Sequence, residues 1–257
     1  MVIMILAILQ ARVSSTRLPG KVLKPILGMP MIFRQIERLK HAKKIDKLIV
    51  ATSTDSSDDQ LAIACQEFGI ECYRGNLNDV LDRFYGAAEQ DKPEHVVRLT
   101  GDCPLADPEI IDRVIEHHLQ GKYDYTSNTI EPTYPDGLDA EIMTYSCLQH
   151  MRDKAKKQSE REHVTLFIYN NKKKFNIGSV KNNIDLSQLR WTVDEPEDFM
   201  LVEAIYQDLY CKNSLFLTNE ILCLIADNQK LKDINVSFNR NEGLMKSLKN
   251  DGSDIEI

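Results

Sequence analysis

"DKLIVATSTDSSDDQLAIACQEFGIECYRG", residues 46–75, decides the fold. Its opening run, "DKLIVATS" (46–53), reads as a buried strand; Asp58 to Phe68 reads as a helix, and "GIECYRG" as a short second strand. A strand returned by a helix of that length pairs in parallel, because an antiparallel partner needs only a tight turn. The same rhythm extends in both directions. Residues 2–10 read as another buried strand, and 30–43, with Ile32, Ile36 and Leu39 at helical spacing, as an amphipathic helix. Residues 79–89 read as a helix and "EHVVRLTGD" (94–102) as a strand closed by a polar turn; Asp107-Pro108 then supplies an N-cap and a proline at the first helical position. The expected class is α/β: a mixed, mostly parallel sheet flanked by helices.

After about residue 122 the pattern changes. "YDYTSN" and "LDAEIMTY" read as strands joined by a loop with proline and glycine, and "SEREHVTLFIYNN" as a helix opened by a capping box from Ser159 to Glu162. The segment 122–180 reads as an insertion. "LRWTVDEP" reads as a further strand, followed by a helix from Pro196 to about Tyr210; residues 211–257 are expected to give one more helix and a polar tail.

The chain has 257 residues, 42% hydrophobic, with a formal net charge of -7, enough apolar material for a substantial core. The acidic balance argues against a general nucleic-acid or membrane-surface binder. Six scattered cysteines form no CxxC pair, so neither a zinc site nor a disulfide framework is indicated. "MVIMILAIL" lacks a basic flank and a small-residue cleavage site, and no apolar stretch is long enough to span a bilayer. A cytoplasmic location is expected.

In such a sheet, ligands bind beyond the carboxyl ends of the strands, which directs attention to three loops. In the first, "ARVSSTRLPGK" (11–21), Ala11 leaves the strand, Arg12, Arg17 and Lys21 bring positive charge, and Ser14, Ser15 and backbone amides bring donors for phosphate oxygens. This is not a Walker A loop, since Gly20-Lys21 is followed by valine. The second and third loops place Asp102 and Asp194 at strand ends. Taken singly each reads equally as a turn or helix cap; with the basic loop they read as carboxylates for Mg²⁺ bound to phosphate. "SNTIEPTYPDGLDAEI" offers Tyr134, Asp139 and Glu141 as polar candidates for an acceptor wall, although alternation of Leu138, Ala140 and Ile142 also fits a half-buried strand with both acids in solvent.

Together, "ARVSSTRLPGKVL", "RLTGDCPLADPEIID" and "WTVDEPEDF" resemble the cytidylyltransferases that activate sugar acids, the acylneuraminate and Kdo enzymes. "YRGNLNDVLDRFY", "YPDGLDAEIM" and "EREHVT" are similar to the spore-coat polysaccharide branch of that group. The resemblance covers residues 3–210 and implies a nucleotide-diphosphosugar transferase-like domain over 1–210, with 122–180 serving the acceptor and a homodimer contact. It implies that Arg12, Arg17 and Lys21 hold the triphosphate of CTP, that Asp102 and Asp194 bind Mg²⁺, and that Thr52, Ser53, Arg74 and Asp79 line the cytidine pocket. Arg12, Lys21 and Asp102 are then the catalytic set, and the partners are CTP and an acidic small-molecule acceptor. A glycosyltransferase on the same fold is disfavoured by the lack of a D-x-D motif. A catalytically inactive nucleotide-binding subunit is disfavoured by retention of Lys21, Asp102 and Asp194. No general base is assigned; His163 is the one histidine near these motifs.

Overall fold

Along the first strand, β1 (Ile5–Gln10), side chains alternate between two cores: Ile5, Ala7 and Leu9 enter one, Leu6 and Ile8 the other. Burial on both faces is what a central parallel strand requires, and each large side chain buried this way contributes about 1.5–3 kcal/mol. The computed structural model describes residues 3–238 and 240. In chain order, β1 is followed by a small hairpin, β2 (Pro25–Ile26) and β3 (Met29–Pro30), then α1 (Met31–Leu39), β4 (Lys47–Ser53), α2 (Asp59–Glu67), β5 (Cys72–Gly75), α3 (Val80–Glu89), β6 (His95–Thr100) and α4 (Pro108–Gly121). The second half gives β7 (Tyr125–Ser127), β8 (Glu141–Thr144), α5 (Tyr145–Lys154), α6 (Gln158–Glu162), α7 (Leu166–Asn170), β9 (Ile177–Ser179), α8 (Pro196–Leu209), α9 (Thr218–Asp227) and α10 (Gln229–Lys232).

Seven strands form one sheet in the order β5-β4-β1-β6-β8-β7-β9. The four on the β5 side are mutually parallel; β8 runs antiparallel to both β6 and β7, and β9 is parallel to β7. One face is covered by α1, α4, α8 and α9 through Ile36, Val114, Val202 and Ile221; the other by α3, α5 and α7 through Phe84, Met151 and Ile168. The carboxyl ends of β1, β4 and β6 therefore share one edge. Asp107 caps α4 by accepting from the Glu109 amide at 2.9 Å, and its other oxygen accepts from the Thr218 hydroxyl, tying the start of α9 to the start of α4.

Several expectations for the second half are corrected. The strand expected over 189–196 is reduced to a single bridge between Asp136 and Arg190, since its amides go to scattered acceptors, Trp191 to Asp136, Val193 to Asp102 and Asp194 to the Asp198 side chain, instead of to one partner strand. The helix expected over 159–171 is two short helices, broken where Val164 takes a left-handed φ of 42°. The capping box from Ser159 to Glu162 does not form: Ser159 is buried, and it is the Glu160 carboxylate that accepts from the Lys156 and Lys157 amides. The first strand begins at Ile5 and α1 ends at Leu39, both inside the expected limits. Residues 249–257, expected as a polar tail, lie outside the described residues. Among the described residues no helix is long and apolar enough to cross a membrane.

Candidate active site

The loop leaving β1 is shaped by its backbone. Val13 donates to Asp58 Oδ1 at 2.7 Å, and Gly20 donates back to the Val13 carbonyl at 3.1 Å, so residues 13–20 close into a ring. Gly20 turns the chain with φ 70°, a conformation that costs glycine little, and delivers Lys21 into the site. The amides of Ser14 and Thr16 bond to no other described residue. Asp58 is fully buried and also accepts from the amide and hydroxyl of Ser53, joining this loop to the end of β4. Its anchoring role was not legible in the sequence, where it reads only as a helix start.

Lys21 meets both predicted carboxylates. Its Nζ lies 2.8 Å from Asp194 Oδ1 and 3.5 Å from Asp102 Oδ2, and donates to the Val193 carbonyl at 2.7 Å. Arg17 approaches the other oxygen of Asp194 at 2.8 Å and Glu195 at 3.1 Å. Burial works against the Lys21 ammonium, but Asp102 and Asp194 outweigh it and raise its pKa above the ordinary lysine value. Burial likewise opposes ionisation of Asp102, yet Lys21 and local hydrogen bonds hold its carboxyl below the ordinary range. Two carboxylates from separate loops thus converge on one cationic point at the ligand edge of the sheet.

Two groups absent from the sequence reading complete this arrangement. Arg190 donates to both oxygens of Asp198 at 2.9 Å, to Asp136 at 3.2 Å, and lies 3.6 Å from Asp194. Asp198, fully buried, accepts from the Asp194 and Glu195 amides and so sets the backbone that carries Asp194. The spacing of Asp194 and Asp198 across Pro196 was the available signal, a carboxylate reaching back over a helix start. Gly137 lets the loop before β8 close on this stretch: a Cβ there would sit 2.4 Å from the Thr192 nitrogen. Burial first, then Asp139, pushes the Asp136 carboxyl up to about 7, and burial also raises Asp139 despite its pairing with Arg240 at 2.6 Å.

The remaining predicted residues are distributed around this centre. Arg12 and Ser14 are exposed, Ser15 is half-buried and Ala11 is buried. Arg12 makes no ion pair among the described residues, which leaves its charge open to a ligand. Thr52 and Ser53 are fully buried, so neither lines an open pocket. Arg74 donates to the Ser53 carbonyl at 2.8 Å and pairs with Asp59 at 2.7 Å. Asp79 caps α3 and takes a two-pronged contact from Arg161, at 2.9 and 3.0 Å through Nε. Tyr134 is buried with its hydroxyl accepting from Arg113 at 3.0 Å, turned into the core. Glu141, expected on an exposed face or an acceptor wall, is buried against Arg98 at 2.8 Å, the Tyr125 hydroxyl and Thr165. Asp139 alone of the three stays partly exposed, a third of its side chain being in solvent.

Among the described residues no three His, Cys, Asp or Glu side chains group as a metal cage. Mg²⁺ does not demand one: it takes one or two carboxylates and fills its octahedron with water and phosphate oxygen. Asp102 and Asp194, both in contact with one ammonium, are the two carboxylates that would hold it. Around that pair an ion-pair network gathers Asp136, Asp139, Glu195 and Asp198 with Arg17, Arg190 and Arg240. The donor set fits the ion.

A family model described as cytidylyltransferase matches residues 6–241. The spore coat polysaccharide biosynthesis protein SpsF of Bacillus subtilis is 36% identical over 210 residues, covering 79% of this chain and 86% of that protein. The structure of a cytidylyltransferase from Leptospira borgpetersenii superposes with a TM-score of 0.84 at 30% identity, covering 89% of this chain and 96% of that one. CMP:2-keto-3-deoxy-manno-octonic acid synthetase complexed with CTP shares the fold, with a TM-score of 0.63 at 18% identity, over 79% and 98% of the two chains.

Proposed function

Because the chain belongs to the cytidylyltransferase family, we propose that it transfers CMP from CTP to an acidic sugar of the nonulosonic or Kdo-like class, releasing pyrophosphate, in the biosynthesis of a surface polysaccharide or glycan. It is a CTP-dependent nucleotidyltransferase. The observation that carries the reading is the meeting of Lys21, Asp102 and Asp194 at the carboxyl edge of β1 and β6.

On this reading the exposed Arg12, together with Arg17 and the free amides of Ser14 and Thr16, receives the triphosphate. Lys21 exchanges its carboxylate partners for phosphate oxygens, and Asp102 and Asp194 become available to Mg²⁺. When bound, that ion supplies positive charge opposite the departing pyrophosphate. An acceptor hydroxyl oxygen attacks the α-phosphorus in line and gives up its proton to solvent; its bond to phosphorus forms as the bond to the bridging oxygen breaks, and the electron pair leaves with pyrophosphate. Fixed cations supply most of the rate, since phosphoryl-type transfer asks for positioning and charge stabilisation rather than a covalent nucleophile. Asp139, partly exposed beside the site, is the predicted acceptor contact that the fold leaves accessible. A cytoplasmic location belongs to the same proposal.

The test is a pyrophosphate-release screen of CTP against acidic sugars, with ATP, GTP and UTP as controls. Release with CTP and a sugar acid is expected; equal release with all four nucleotides, or transfer from an intact nucleotide sugar, overturns the reading. A homodimer formed through residues 122–180 belongs to the same proposal. Light scattering that returned only the 29.4 kDa single-chain mass at micromolar concentration would remove it.

A further inference from the structure

The segment after α10 returns to the reaction centre. Asn235 is only 5% exposed, and its Nδ2 donates twice, to the Arg190 carbonyl at 2.9 Å and to Asp198 Oδ1 at 2.8 Å. These two acceptors bracket the stretch that carries Asp194. That stretch has a single bridge, Asp136 to Arg190, and its backbone is tied again where the Val193 amide donates to the Asp102 carbonyl at 2.8 Å; beyond Val193 its course depends on the Asp198 side chain. Asp198 completes the connection by accepting from the Asp194 amide at 3.0 Å. Five residues further on, Arg240 donates to Asp139 at 2.6 Å and to the Tyr134 carbonyl at 3.3 Å. The same segment therefore touches the Asp194 loop and the loop facing the acceptor.

We infer that Asn235 is a positioning residue for Asp194: by holding Arg190 and Asp198 at a fixed separation it aims the Asp194 carboxylate at the divalent ion that accompanies CTP. The inference rests on the function proposed above. Mg²⁺ binds at 2.0–2.1 Å in a near-ideal octahedron, so a ligand displaced by a few tenths of an ångström binds it poorly. A residue that touches neither ion nor nucleotide then sets metal affinity through Asp198. Were Asn235 only a satisfied core amide, its loss would lower stability and leave metal binding unchanged.

The two roles separate in a Mn²⁺ titration followed by electron paramagnetic resonance, using the full-length chain and a CTP analogue with a methylene bridge between the α- and β-phosphorus, which cannot release pyrophosphate. Asn235→Ala is expected to weaken Mn²⁺ binding by about tenfold, the lower end of what loss of a group supporting a metal ligand costs, and to raise the half-saturating Mg²⁺ in turnover to match. Asn235→Ser, which keeps one donor, should fall between the two and serves if the alanine variant folds poorly. Wild-type Mn²⁺ affinity in both folded variants, with only the melting temperature lowered, overturns the inference. Tight Mn²⁺ and analogue binding by the wild-type chain, without pyrophosphate release on any acceptor, would defeat the proposed activity while leaving the positioning role standing.

Discussion

Lys21 shows how one residue serves two states. Here its ammonium neutralises Asp102 and Asp194; on the proposed reading the same charge moves to phosphate when nucleotide binds. Lys21→Met keeps the stem and removes the charge, so pyrophosphate release should fall by about 10²–10³-fold, as for other lost transition-state donors, with an unchanged circular dichroism spectrum. Release at the wild-type rate would falsify the assignment. At the opposite end of the sheet, His118 is fully buried, with its Nδ1 on Thr126 and its Nε2 on His95, each at 3.0 Å. Burial, then His95 and His117, push its pKa down to about 4, against about 6.5 for an unfolded histidine. The fold holds the neutral form, so this contribution is fully present above pH 6.5 or so and is lost as pH falls towards 4, by up to about 3 kcal/mol. Urea midpoints of His118→Gln should vary less over that window than those of the wild type; identical pH profiles would contradict the account.

At the scale of elements, the informative cases are the loops that take the place of strands. Gly137 combines a φ of 105° with a would-be Cβ contact of 2.4 Å to the Thr192 backbone, which no side-chain movement relieves. Gly137→Ala is expected to cost about 2–4 kcal/mol and to weaken binding of CTP with Mg²⁺, because the displaced neighbour leads directly into Asp194. Thermal unfolding and calorimetric titration check both parts, and a variant with wild-type values of each would show the loop to be looser than drawn. The misreadings belong to this scale too. Alternation of Leu138, Ala140 and Ile142 points to a half-buried strand, but β8 begins only at Glu141 and is covered on both faces, so Glu141 is buried and paired rather than solvated. Thr52 and Ser53 end β4 as the run "DKLIVATS" indicates, but lie fully buried beneath the loop that Asp58 pins down, not along a nucleotide pocket as the resemblance implied.

For the whole molecule, the parallel strands at the centre and the loops at one edge should differ in stability. β1, β4 and β6 are buried on both faces and paired in ladders, so their amides are expected to exchange only when much of the sheet opens; residues 11–24 and 190–198 are held by isolated backbone bonds, by side chains and by each other. Hydrogen exchange should therefore be slowest in β1 and β6. Addition of CTP and Mg²⁺ should slow 11–24 and 190–198 together, since they meet through Lys21 and Arg17 on Asp194. Protection confined to one of the two stretches would argue against a shared site.

The amino-acid sequence by itself determined the alternation of strand and helix, the parallel half of the sheet and the three loops that hold Lys21, Asp102 and Asp194. Those features follow from local periodicity, capping and the position of charge just after an apolar run. Only the tertiary structure decided that β8 reverses direction, that Asp194 sits on a stretch without a ladder, and that Asp58, Arg190, Asp198 and Asn235 support the site. The physical reason is range: strand and helix patterns repeat within a few residues, whereas a buried ion pair or amide contact is fixed by partners tens of residues apart whose meeting no local pattern encodes.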